Sequence, residues 1–400
     1  MDVKYFDILI VGSGHAGSQA AISLRQLKYE GSIGVLGEEA VLPYERPPLS
    51  KDYLGGEKSF DRILIRGEDY WVDQKISMLL GRRVNELTPD KHVVRTVSGE
   101  SFGYGNLIWA AGGAARRLDC TGSDLAGIHY IRHIQDTNRL LSELPRARKV
   151  VVIGGGYVGL EAAASLRKMG KDVVLFEATT RTLARSTCET VSRFIETQHR
   201  LLGVDVRLGV GVAAIEGKSG HVVAVRLLDG TCVDADLVIA GIGIVPAVEV
   251  LAAAGAKVAN GVEVDEQCKT SLPNVFAIGD CALHKNRYAD GASIRLESVQ
   301  NALDQAHVVA KTLVNQSARY ESLPWFWSNQ YDIKLQTAGL SIGYDRTEIR
   351  GDVSASSFAV DYYKGDRHIA TDCINSPRDF VVARKKLTEQ FESRKELIIS

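Results

Sequence analysis

Paired cysteines are what this 400-residue sequence most plainly lacks. Cys120, Cys188, Cys232, Cys268, Cys281 and Cys373 are scattered singly. No two fall at CxxC or CxxxxC spacing, so neither a zinc site nor a redox dithiol is written here. Isolated buried thiols are the plain reading. Long apolar runs are missing as well: the longest uncharged one, Leu237 to Val248, contains a proline and is too short to span a bilayer. The opening MDVKYFDILIVGSG reads as a first strand breaking at glycine rather than as a secretory leader. Charge of one sign is lacking too. Lys plus Arg at 48 against Asp plus Glu at 49 leaves −1, so no global field points to nucleic acid or a membrane surface, and a charged partner must be met by a local patch. The expectation is a cytoplasmic protein that neither enters nor coats a membrane. No linker is low-complexity, which predicts closely packed domains.

What is present suits two or three globular domains, since single cores stop growing well below this length. The strongest organisation is an internal echo. Asp7 to Val11 (DILIV) runs into GSGHAG, then the helix-like AISLRQL and a second strand, SIGVLGE. Lys149 to Ile153 (KVVVI) runs into GGGYVG, then LEAAASLRKMG and KDVVLFE, 142 residues later. A lone G-x-G-x-x-G is weak evidence. Here each copy has its strand before, its helix after, and an acid near the end of the next strand, Glu38 and Glu177. The first glycine makes the turn, the second admits a pyrophosphate, the third lets helix pack on strand, and the helix N-terminus stabilises phosphate charge.

Three further strands punctuate the chain: Asn106 to Gly113 (NLIWAAGG), Asp236 to Pro246 (DLVIAGIGIVP) and Val275 to Asp280 (VFAIGD). After Pro324 the texture becomes alternating and aromatic, with FAVDYY and HIATDCI joined by a KGD turn, which predicts an antiparallel sheet. PRDFVVARKKLTEQF predicts a terminal helix with Pro377 in its first turn.

Together with PYERPPLSK at 43–51 and PWFWSNQY at 324–331, these motifs resemble the FAD-dependent, NADH-oxidising ferredoxin and rubredoxin reductases of bacterial oxygenase systems, over nearly the whole chain. The resemblance implies an α/β fold of the glutathione-reductase kind. It has two Rossmann-like dinucleotide-binding domains, the NAD domain inserted in the FAD domain, and a C-terminal α+β domain. The boundaries become 1–114 and 242–322 for FAD, 115–241 for NAD and 323–400 for the interface domain. It places Gly12, Gly14, Ala16 and Gly17 on the FAD pyrophosphate and Glu38 on its ribose. Arg46, Pro47 and Lys51 would line the flavin, with Val84 and Arg132 adding contacts. Gly279 and Asp280 would hold the ribityl chain, and Val299 would open a helix whose N-terminus faces the flavin. Gly154, Gly156, Gly159 and Glu177 would bind NADH, with Glu161 near the nicotinamide and able to pair with Lys51. Read by themselves, Lys51 is an exposed lysine and Glu161 a solvated helix position.

A disulfide reductase would need paired cysteines after the first βαβ unit and usually a His-Pro-Thr segment near the C-terminus; neither is present. A flavin peroxidase would need one cysteine where PYERPPLSK stands. The acceptor implied is therefore a one-electron carrier, a 2Fe–2S ferredoxin. Lys285, Arg287, Arg295 and Lys334 are candidate docking charges, and Trp327 is either an aromatic beside the flavin or a structural residue of the C-terminal sheet. A monodehydroascorbate-type radical reductase and an NADH-sensing interaction flavoprotein are the competing readings. The oligomeric state is left open.

Overall fold

The computed structural model describes residues 3–399. The chain divides into two compact units: Met1–Arg46, Phe60–Ala114 and Val245–Pro324 make the first, and Pro47–Ser59, Ala115–Ile244 and Trp325–Ser400 the second. The short excursion Pro47–Ser59 is a division the sequence did not suggest. It carries most of PPLSK into the second unit while Arg46 stays in the first.

In the first unit a sheet runs in the order Ile76–Leu79, Ile33–Leu36, Lys4–Val11, Ser101–Trp109, with all these neighbours parallel. Ile8, Leu9, Ile10 and Val11 are all buried, because a parallel strand covered on both faces needs a continuous apolar run rather than an alternating one. Beyond Ser101–Trp109 the sheet forks. The start of that strand pairs antiparallel with Val93–Thr96, and its end pairs parallel with Val275–Ala277. The helix His15–Gln26 packs on the helix Val299–Leu313, and Ala20, Ala21, Ala302 and Ala306 share their core. Small side chains let the two backbones approach.

The second unit has a five-stranded parallel sheet in the order Asp205–Leu208, Asp172–Glu177, Lys149–Ile153, Leu237–Ala240, Ile128–His129. Asp236 to Pro246, read as one strand, is two, Leu237–Ala240 and Ile244–Pro246. Gly243, at φ +97°, lies in the break. An antiparallel sheet of Trp325–Gln330, Ile333–Gly339, Arg367–Ile374, Ser357–Lys364 and Arg346–Asp352 follows, then the helix Pro377–Ile399. The KGD turn is a hairpin between its strands Ser357–Lys364 and Arg367–Ile374. Phe380, Ala383 and Leu387 bury one stripe of the terminal helix, at helical spacing.

Candidate functional site

In the first unit the fingerprint glycines are needed for three different reasons. Gly12 has φ +109°, and a Cβ there would stand 2.2 Å from the Ala110 carbonyl oxygen. A Cβ at Gly17 would stand 1.8 Å from the Gly12 oxygen. At Gly14 the nearest atom to such a Cβ is Arg46 Nε at 3.8 Å, so there is room for a ligand. Gly14 caps the helix His15–Gln26 without a side-chain hydrogen bond, and a helix N-terminus of this kind suits an anion. Ala16 packs against Gly279, whose Cβ would meet it at 3.1 Å. Asp280 sits on the turn Gly279–Cys281, and the Gly279 N–H donates to Gln305 at 2.7 Å. Val299 is the first residue of its helix. The Ser298 side chain accepts from the Asn301 N–H, so one of the N-terminal donors is already taken.

Glu38 is half exposed and 3.6 Å from Arg83. Its neighbour Glu39 is held by Arg46 at 3.0 Å and by the Tyr44 hydroxyl at 2.7 Å. Val84 is buried at the start of the strand Val84–Thr88.

The second fingerprint repeats the pattern. A Cβ at Gly154 would stand 2.4 Å from the Gly241 oxygen and one at Gly159 2.0 Å from the Gly154 oxygen, while Gly156 has nothing within 4 Å. Glu177 accepts from the Gly155 N–H at 2.7 Å and from the Thr179 N–H and hydroxyl, each at 2.8 Å. A carboxylate has about four acceptor sites, so capacity remains for a ribose hydroxyl. Arg181 is committed to its own loop, donating to Thr187, Ala184 and Ser192. It is not free to greet a 2′-phosphate. Arg132 precedes the helix Ile134–Glu143 and its N–H donates to Asp136.

The same fingerprint helix, Tyr157–Lys168, carries Glu161. Contrary to the plain reading of either residue, Glu161 is buried and Lys51 largely covered, their side chains 5% and 11% exposed, and they pair at 2.9 Å. The turn Pro47–Ser50, with Pro48, Leu49 and Ser50 buried, delivers Lys51 to this position. The Ser50 hydroxyl donates to Glu161 Oε2 at 2.7 Å and the Ser328 hydroxyl to Oε1 at 2.6 Å. Burial pushes the Glu161 carboxyl up, while Lys51, Ser328 and Ser50 pull it back toward the charged form. Such a set of partners is what a buried carboxylate requires to stay ionised.

Sequence reasoning missed Ser50, Ser328, Gln330, His199 and Tyr157. The period-two alternation of WFWSNQ carried a partial signal: it sets Phe326, Ser328 and Gln330 on one face of the strand, opposite Trp325 and Trp327. Phe326 meets Tyr157, with ring centroids 4.4 Å apart. Trp327 lies in a row with Trp325, 5.6 Å away, and does not join Glu161.

Two of the candidate docking charges are corrected. Arg295 has a side chain 8% exposed, paired with Glu297 and bonded to the Asn260 and Asp280 carbonyls. Arg287 pairs with Glu321. Lys285 and Lys334 are exposed. All six cysteines are free thiols, and burial pushes Cys281 and Cys373 up to about 12, far from thiolate reactivity. Among the described residues no cluster suits a metal ion, and no helix is long and apolar enough to cross a membrane.

Comparison with known proteins fits this geometry. The family model described as pyridine nucleotide-disulphide oxidoreductase matches residues 6–306, and one described as reductase C-terminal matches residues 325–399. The chain is 53% identical over 386 residues to a ferredoxin–NAD(P)(+) reductase from a Sphingomonas species, covering 96% of this chain and 93% of that one. It is 39% identical over 389 residues to putidaredoxin reductase of Pseudomonas putida, covering 96% and 92%. A crystal structure of a covalent putidaredoxin reductase–putidaredoxin complex superposes with TM-score 0.93 at 38% identity, covering 97% of this chain and 94% of that one.

Proposed function

The chain belongs to the pyridine nucleotide-disulphide oxidoreductase family, and on that premise we propose that it carries electrons from NADH through FAD, one at a time, to a 2Fe–2S ferredoxin that feeds a bacterial oxygenase. Overall, one NADH and two oxidised ferredoxins give NAD+, one proton and two reduced ferredoxins. The observation that carries this reading is the buried Lys51–Glu161 pair, where a disulfide relay would need cysteines. Bound FAD would supply the conversion between the two-electron chemistry of NADH and the one-electron chemistry of an iron–sulfur acceptor.

The protein's residues bind and orient. Gly12, Gly14, Ala16 and Gly17 admit the FAD pyrophosphate, Glu38 takes its ribose, and Arg46, Val84, Gly279, Asp280 and Val299 complete the first unit's share of the cradle. Gly154, Gly156 and Gly159 admit the NADH pyrophosphate. Glu177, with Arg181 turned away, favours NADH over NADPH, because a carboxylate accepts from the 2′-hydroxyl and repels a 2′-phosphate. Lys51 and Glu161 form a charged pair whose low exposure strengthens its field at the nicotinamide end of the site. Trp327 is the aromatic on the electron's way out. The relatives named as ferredoxin reductases favour the ferredoxin over an ascorbate radical as acceptor, and six free thiols suit the reducing cytoplasm.

Stopped-flow mixing tests the reading. NADH should bleach the flavin, and the reduced protein should then reduce a 2Fe–2S ferredoxin in one-electron steps. A protein that reduces the monodehydroascorbate radical but no ferredoxin would sink the proposal in favour of the radical reductase.

A further inference from the structure

Glu161 stands at the end of a line of buried side chains that reaches beyond its ion pair. Ser328 Oγ is 2.6 Å from Glu161 Oε1, Gln330 Nε2 is 3.1 Å from Ser328 Oγ, and His199 Nε2 is 2.9 Å from Gln330 Oε1. Ser328, Gln330 and His199 are at most 2% exposed. Ser328 and Gln330 come from one face of the strand Trp325–Gln330, and His199 from the last turn of the helix Glu189–Leu201.

The line has a direction. With the Gln330 oxygen toward the imidazole, His199 Nε2–H donates to Gln330, the Gln330 amide donates to Ser328, and the Ser328 hydroxyl donates to Glu161. Each link donates toward Glu161, whose Oε1 accepts at the end of the line, as an ionised carboxylate does. Running the line backwards would require a proton on Glu161, a turned hydroxyl, a flipped amide and the imidazole proton moved to Nδ1. His199 Nδ1 is buried and has no partner among the described residues, so the reversed line would bury a bare N–H donor, a costly arrangement. Burial holds His199 down at about 4, leaving one ring proton to place near neutral pH.

We propose that Ser328, Gln330 and His199 are positioning residues that keep Glu161 ionised and aimed at Lys51. This rests on the reading that Lys51 and Glu161 serve NADH. The charged groups around a neighbouring cavity of about 340 Å³ are Lys51, Asp52, Glu57, Lys168, Asp332 and Lys334. Of these only Lys51 pairs with Glu161 among the described residues. Asp52 pairs with Lys58, and Lys168 with Glu57. Tyr157, on the same helix, and Tyr331, whose ring is 5.2 Å from His199, are kept protonated by burial. The carboxylate's charge therefore depends on Lys51, Ser50 and this line.

The test follows Glu161 itself, through its carboxyl stretching band in difference infrared spectra of the FAD-loaded protein against E161Q across pH. The acid limb of flavin reduction by NADH is measured alongside. S328A removes a charge-assisted donor and should move both titrations up by about one unit, a tenfold change in ionisation constant. Q330M and H199F should move them by less, in that order, and S328T should restore the wild-type position. Should S328A fold poorly, Q330M decides. A Glu161 band titrating at the wild-type pH in these folded variants overturns the proposal. The infrared titration needs no NADH, which separates the two readings. A shifted band in a protein whose flavin NADH never reduces would fell the functional reading and leave the positioning line standing. Normal reduction with an unmoved band would do the reverse.

Discussion

The two glycine fingerprints are built on one plan and differ at two coupled positions. In each, the first glycine donates to the carbonyl of a strand neighbour, Gly12 to Leu36 and Gly154 to Phe176, both at 2.8 Å. Counting on from those carbonyls, Gly37 occupies the place that Glu177 holds in the second copy. The reason is Ser13. A Cβ at Gly37 would stand 2.5 Å from Ser13 Oγ and 3.0 Å from Leu80 Cδ2, so a side chain after the first glycine favours a glycine opposite it, and the acid stands one residue on, at Glu38. In the second copy Gly155 leaves the space empty and Glu177 fills it, bonding the Gly155 N–H. The difference teaches how each copy presents its acid: Glu177 is a tethered part of the loop, whereas Glu38 stands off it, half exposed. The surroundings differ in the same sense, with Arg46 near Gly14 and open space at Gly156. A walled cradle suits a resident dinucleotide and an open one suits a dinucleotide that comes and goes.

The largest expected effect separates the two cradles. Gly12→Ala and Gly154→Ala each place a Cβ against a carbonyl oxygen at a positive φ, a strain of about 3 kcal/mol or more. Gly12→Ala should purify without flavin absorbance. Gly154→Ala should retain FAD and bind NADH about a hundredfold more weakly. Loss of FAD from both variants would erase the distinction between resident and passing ligand.

Most of this plan was legible in the sequence, because glycine fingerprints report hard steric requirements that hold wherever a strand turns into a helix. The one-residue offset of Glu38 was not. It depends on which strand carbonyl the first glycine meets, a matter of register. Lys51 and Glu161 were legible only through resemblance: the residues alone read as surface positions, and burial came from the turn Pro47–Ser50 folding onto the fingerprint helix. Ser50 and His199 were beyond reach, since no local pattern announces a partner more than a hundred residues away. Arg295 misled for the complementary reason. Its charge was visible, but its burial beside Glu297 was not.

A smaller effect tests how the acids are presented. Glu177→Ala removes both the proposed ribose acceptor and the tether on Gly155. A charge-assisted bond contributes about 1.5–3 kcal/mol, so KM for NADH should rise about tenfold or more while NADPH, already disfavoured, changes little. Glu38→Ala removes an acceptor that supports no loop, so FAD retention after dialysis should fall only a few-fold. An unchanged KM in the first variant together with wholesale flavin loss in the second would invert the comparison.

The smallest effect asks which unit the ferredoxin meets. With Arg295 and Arg287 committed to internal partners, Lys285 in the first unit and Lys334 in the second are the exposed cations left from the four candidates. Exposed charges act at the rim of an encounter, so they change association rates more than the chemistry. Reversing either to glutamate should slow ferredoxin reduction about two- to fivefold at low ionic strength, with the effect fading toward about 0.15 M, where the screening length is about 8 Å. Flavin reduction by NADH should be untouched at Lys285; Lys334 borders the cavity of Lys51 and Glu161, so the ferredoxin step is measured from protein that is already reduced. Measuring the ferredoxin step across a salt series for each variant then assigns the docking face: a salt-dependent loss at one lysine alone places the partner against that unit. No loss at either, at the lowest salt, removes both lysines from the encounter.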